Sequence, residues 1–188
     1  MALKEYSIGD TFSMVYNGYF SMSLLYKLVR SWILENGYGP DKWMEELYLQ
    51  REAPIGTEHW IFWRTSKKIN SFITYKINVD FHTLGMNKSE MVNEGKKVKT
   101  DKGEVEVFFT PILTVDPDEK WKNAWWFKYP AVQQWWLKRF YRIEIDKHEE
   151  LVIKDAYRLQ GIIKQYLDLK GFLREYAGEP FHPIKGLE

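Results

Sequence analysis

The chain contains no cysteine, which excludes disulfides, zinc thiolate sites, iron–sulfur clusters and thiol catalysis together. It also has almost no net charge. Its 27 Lys and Arg stand against 26 Asp and Glu, a formal +1, so no global field draws it to DNA, RNA or an anionic membrane, and only a local patch could. Long apolar runs are missing as well. The longest uncharged stretch, residues 11–26, is interrupted by Ser13, Asn17, Gly18, Ser21 and Ser23 and falls short of the ~20 mostly apolar residues that span a bilayer. No transmembrane segment is expected. The first ten residues include Lys4 and Glu5 and no apolar core, so they do not read as a secretory signal, and cytoplasmic residence is the simple expectation. G-x-S-x-G, glycine-rich phosphate loops and H-E-x-x-H are all absent, which removes the common hydrolase, nucleotide and zincin signals. No cofactor is implied, and the reading leans away from an enzyme.

What the chain has in excess is rings: 17% of its residues are aromatic and nine are Trp. Its 188 residues suit one domain, taken as residues 1–170, with a tail over residues 171–188 where Gly178, Pro180, Pro183 and Gly186 leave no periodic pattern. The organising stretch is the last third. An aromatic entry leads through Pro130 into a helical stripe at Tyr141, Ile145, His148, Val152, Ala156, Leu159, Ile163 and Tyr166, with Glu144, Asp146, Lys147, Glu150 and Lys154 on the other side.

Upstream, alternation at Phe12, Met14 and Tyr16 predicts a first strand ending in a turn at Asn17-Gly18. Leu25, Leu28, Val29, Trp32 and Ile33 then predict a short helix, capped by Ser21 or Ser23 and closed at Asn36-Gly37. Five strand-like runs follow, at residues 43–52, 59–65, 73–83, 97–100 and 104–115. The third is the clearest, with Ile73, Tyr75, Ile77, Val79 and Phe81 on one face. Asp101-Lys102-Gly103 reads as a hairpin loop, and Pro111 marks an edge strand or a bulge. Little room remains for helices between these runs, so the sheet should be antiparallel.

The expected fold class is therefore α+β, a curved antiparallel sheet of about six strands packed on a long C-terminal helix. The order strand, helix, strands, long helix resembles the helix-grip arrangement of START and Bet v 1 type lipid-binding domains. That resemblance implies a carrier holding an apolar small molecule or lipid between sheet and helix, with Tyr75, Ile77 and Phe109 as walls and Gly161 kept small to leave room. The helix-grip pattern usually places two short helices after the first strand, where residues 24–35 supply one.

The strongest compositional anomaly is the cluster Trp121, Trp125, Trp126, Phe127, Tyr129, Trp135, Trp136, Phe140 and Tyr141. Trp135 and Trp136 are adjacent, hence about 100° apart on a helix, and cannot both enter one narrow core seam. A partner protein, an apolar ligand or a membrane interface could cover the second ring. The leading functional expectation is a non-catalytic interaction or assembly protein that docks a partner or a second copy of itself through this patch. Trp63 belongs with these contact residues, expected on the outer sheet face with Ile61, Phe108 and Ile112 and covered by the tail (Phe172, Leu173, Tyr176, Phe181) or a second subunit; Trp60 and Phe62 are expected to face the helix. Single-stranded nucleic acid on the sheet face is a third reading, from Lys67, Lys68, Lys96, Lys97 and Lys99 beside Trp60, Phe62 and Trp63; Glu45, Glu46, Glu104 and Glu106 on the same sheet weigh against it. If the hairpin turns at Asn70-Ser71, His59 lies opposite His82 with Asp80 near, a conceivable metal set, although such a cross-strand pair is more often structural. His148, on the buried stripe, reads as a satisfied core histidine.

Overall fold

The computed structural model describes residues 4–7, 10–39, 44–93, 96–118, 120–121, 123–125, 129–139 and 141–175. The elements run β1 (Lys4–Ser7), β2 (Phe12–Phe20), α1 (Met22–Glu35), β3 (Glu45–Ala53), β4 (Gly56–Lys68), β5 (Ile73–Asn93), β6 (Lys96–Val115), α2 (Pro130–Arg139) and α3 (Arg142–Glu175). Every ladder is antiparallel. β6 pairs with β5, β5 with β4 and β4 with β3, while β1 and β2 share the remaining edge of β6 end to end, Ser7 facing Ile112 and Phe12 facing Phe109. Six segments thus fill five positions of a curved, unclosed sheet, and the class is α+β in the expected strand, helix, strands, helix order.

One face of the sheet is apolar. Ile61, Trp63, Ile73, Tyr75, Ile77, Val79, Phe81, Val105, Val107, Phe109 and Leu113 are all buried there. Against them α3 sets Ile145, Val152, Ala156, Leu159, Ile163 and Leu167, and α1 sets Leu25, Val29, Trp32 and Ile33. Each such large side chain contributes about 1.5–3 kcal/mol when removed from water. The stripe of α3 is therefore the one its period predicts. The helix is longer than expected, continuing through Gly171 to Glu175, and the remaining tail lies outside the described residues.

The end of α1 also follows its sequence. Gly37 adopts φ +75 and Tyr38 donates its N–H to the Ile33 carbonyl, closing the helix as a left-handed cap. Its start does not. The Ser21 side chain makes no capping bond, and the first helical amide, Met22 N–H, is taken by the Asp101 carboxylate from β6.

Several boundaries differ from the expectation, each for a local reason. β2 runs straight through Asn17-Gly18, with Asn17 paired to Glu104 and Gly18 to Gly103. Residues 97–115, expected as two strands around a loop at residues 101–103, form one continuous strand, and residues 86–93, expected as a loop, extend β5. A bulge hid this. Leu84 faces Glu104 and Asn87 faces Lys102, so Gly85 and Met86 together oppose Gly103. Gly85 takes φ +60, the left-handed geometry of such a bulge, and the inserted residue reverses the alternation beyond it. Pro111 sits in a central strand, paired with Ile77, at the point where the ladders of β1 and β2 both stop. The last third is two helices, α2 and α3, and Ile143 at the start of α3 is exposed.

Candidate functional site

The β4–β5 hairpin decides which side chains meet. Asn70 Oδ1 accepts the N–H groups of Phe72 (2.8 Å) and Ile73 (2.7 Å), an Asx turn that centres the loop on Ser71. Lys68 therefore faces Thr74 and Trp60 faces His82. This is one residue from the expected register, and the consequence is a change of face. His59 faces Thr83, whose hydroxyl lies 2.9 Å from His59 Nδ1 and 3.0 Å from its backbone nitrogen. His82 is on the opposite face, stacked on Trp60 at 3.6 Å, and Asp80 there pairs with Arg64. The set His59, Asp80 and His82 is thus divided between the two faces, and among the described residues no three His, Asp or Glu come together as a metal site.

Burial lowers the His59 pKa below its ordinary 6.5, the Asp101 carboxylate opposing in part. With the folded value depressed, the unfolded chain binds the proton first, so stability falls as pH drops through and below 6.5. His59→Gln should therefore lose less melting temperature than the wild type between about pH 7.5 and about pH 5.5. Parallel slopes would show that His59 does not carry the effect.

Trp63 also changes face. It is fully buried beneath α1, edge-on to Tyr26 and to Phe81, with its Nε1–H 3.4 Å from Glu45 Oε2. The same carboxylate accepts the Tyr26 hydroxyl at 2.8 Å, and burial, reinforced by that bond, pushes the Tyr26 pKa up to about 12. Ile61 accompanies Trp63 inward, and it is Trp60 and Phe62 that look outward with Phe108 and Ile112. On that face the polar side chains of β5 lie between them, Asp80 facing both Phe62 and Phe108 and His82 facing Trp60, so they do not form the continuous patch expected; exposed Leu47 and Leu49 of β3 face Phe62 and Trp60.

The expected cavity walls Tyr75, Ile77 and Phe109 lie on the inner face as core. Gly161 does not join them: it is exposed, and a Cβ built there would meet nothing within 4 Å. Two separate sets of polar contacts reach α3, one from the sheet and one from the end of α1. The Tyr75 hydroxyl bonds His148 Nδ1, whose other nitrogen is 3.8 Å from Glu144. The Tyr38 hydroxyl donates to Asp155 at 2.8 Å, Arg158 holds that carboxylate at 3.1 Å, and the Lys67 ammonium lies 5.2 Å from the Tyr38 ring centre. Burial, with the nearby Asp155 charge, raises both tyrosine pKa values. Both phenols stay protonated, and they fasten α3, Tyr75 to the sheet and Tyr38 to the end of α1. His148 is thereby partnered at Nδ1, and it is partly buried and not in the core. No sequence signal pairs Tyr38 with Asp155, which only the packing of the α1 end on α3 brings together.

The ring-rich stretch sits at the end of the molecule where the β4–β5 hairpin turns. Phe72 stands edge-on between Trp121 (5.2 Å) and Tyr141 (4.8 Å), and Trp121 N–H is held by Asp116 Oδ1. That clamp fixes both ends of the segment carrying α2. Beyond it the rings turn outward: Trp125 is 85% exposed, Tyr129 67% and Trp135 56%, and no residue of α2 is buried. Trp136 is half-buried, and Trp126 lies outside the described residues.

What the fold defines is an α+β domain with an open antiparallel sheet closed on one face by a long helix. No protein-family model matches the chain, and no curated protein matches it significantly. Among the described residues no helix is long and apolar enough to cross a membrane.

Proposed function

We propose that the chain is a non-catalytic docking protein and that the ring-rich end around α2 is its contact surface. One observation carries this reading: Trp125 and Trp135 are 85% and 56% exposed on a domain whose core is already filled by Trp63, Phe81, Phe109 and the stripes of α1 and α3. Trp is costly to leave in water and is favoured where one side of a ring is later covered. A partner protein or a second copy of the chain is the occupant that rings alone would suggest.

The double variant Trp125→Ala/Trp135→Ala tests whether these rings belong to a contact or to the fold. A contact surface predicts a melting temperature within about 2 °C of the wild type, since surface changes cost about 0.5 kcal/mol or less. It also predicts a smaller quencher-accessible share of Trp fluorescence. A fall of more than about 5 °C would mean that the rings support the fold, and the docking reading would fail. Light scattering over a range of concentrations reads the self-docking form directly, as a mass that rises in the wild type and not in the variant.

A further inference from the structure

The contact surface is also cationic, although the chain as a whole is nearly neutral. No Asp or Glu occurs in residues 120–142, whereas Lys120, Lys122, Lys128, Lys138, Arg139 and Arg142 do. Of these, Lys120, Lys138, Arg139 and Arg142 are exposed in the structure, Arg142 lying 3.9 Å from the Asp146 carboxylate. Lys68, from the adjoining hairpin, adds to them; it shares the single Asp118 carboxylate with Lys120, at 2.9 and 3.3 Å. Two aliphatic residues are exposed at the same end. Ile69 lies in the β4–β5 turn three residues from Phe72, and Ile143, 69% exposed, follows Tyr141 at the start of α3.

Resting on the docking reading above, we propose that the occupant of this end is an anionic lipid bilayer surface. Tryptophan and tyrosine settle at headgroup depth, where one side of the ring is apolar and the other wet. Lysine and arginine stems run along apolar surface while their charges reach the phosphates. A basic surface bearing rings is attracted to anionic lipid and held by the apolar side chains that enter it. The isoleucines decide between the two anionic partners that rings and cations could serve. A base stacks on a π face, which Ile69 and Ile143 lack, whereas the bilayer interface accepts aliphatic and aromatic side chains alike. The site therefore lies on the surface of the membrane, with α2 and its flanks in contact and the sheet standing away.

The test mixes the full chain with sucrose-loaded vesicles of phosphatidylcholine and phosphatidylglycerol, with vesicles of phosphatidylcholine alone, and with a single-stranded oligonucleotide. The expected result is cosedimentation with the anionic vesicles, a blue shift of Trp emission, and release by salt of about 0.5 M, where screening shortens to a few ångströms. Lys138→Glu/Arg139→Glu and Trp125→Ala/Trp135→Ala should each weaken vesicle binding at least about tenfold while melting near the wild type. Absence of sedimentation with anionic vesicles overturns the inference, as does binding that both double variants retain. Oligonucleotide binding without vesicle binding, lost in the same variants, overturns it in favour of nucleic acid. Each of these failures leaves the docking reading intact, because that reading fails on the melting temperature of the Trp125→Ala/Trp135→Ala variant.

Discussion

Trp63→Ala should be the most damaging single truncation among the tryptophans that the structure describes, costing about 3–5 kcal/mol as Phe or Trp to Ala changes in cores do. The side chain is fully buried and is held on three sides: Tyr26 of α1 meets it at 4.6 Å, Phe81 of β5 at 5.2 Å, and the Glu45 carboxylate of β3 accepts its indole N–H. Removing it opens a cavity where helix and sheet meet, and rigid strands on one side prevent collapse into it. It also leaves Glu45 bound to Tyr26 alone. For a domain of this size each kcal/mol moves the melting temperature by about 2–4 °C, so a fall of roughly 6–20 °C is expected. Trp63→Phe keeps the ring contacts and should lose less than half as much. A Trp63→Ala protein melting within about 3 °C of the wild type would show that the ring is not core, and would restore it to the outer face where alternation alone had set it.

The second large effect is expected at Gly56, the first residue of β4. Its φ of +144 belongs to a region that only glycine adopts readily, and a Cβ there would lie 2.7 Å from the Gly85 carbonyl carbon and 3.0 Å from its oxygen. Those neighbours are backbone, within the bulge that bends β5, and cannot rotate away. Gly56→Ala should therefore combine about 1–3 kcal/mol of dihedral strain with an overpacking cost of similar size. At Gly161, whose built Cβ meets nothing within 4 Å, the same change should stabilise α3, by up to about 1 kcal/mol from helix propensity. Thermal melts of the two variants side by side separate a glycine that the fold requires from one that it tolerates. Equal melting temperatures would remove any special role for the β4–β5 crossing.

The candidate site was legible as composition and not as geometry. Crowding of rings before the last helix marked the stretch, and the adjacency of Trp135 and Trp136 showed that one core seam could not take both. Trp63 was grouped with them wrongly. Its strand alternates Trp60, Ile61, Phe62 and Trp63, apolar on both faces, and a period of two cannot state its own phase when both phases are hydrophobic. The same indeterminacy divided His59 from His82. Their pairing rested on a loop centred between Asn70 and Ser71, and the Asn70 side chain moves that centre by capturing two backbone N–H groups.

By itself the sequence determined the α+β class, the antiparallel sheet and the buried stripe of α3 from Ile145 to Ile163, because 3.6-residue and 2-residue periods are written in neighbouring positions and survive without any partner. It also determined the close of α1 at Gly37, a local matter of one left-handed residue. The tertiary structure alone decided what depends on residues far apart. It joined β6 into one strand across an expected turn, because Gly103 faces the bulge at Gly85 and Met86; it capped α1 with Asp101 instead of its own serine; and it turned Trp63 inward and left Trp125 and Trp135 outside. Register, bulges and the choice of buried ring are set by pairing energies between elements, and no window of neighbouring residues contains those.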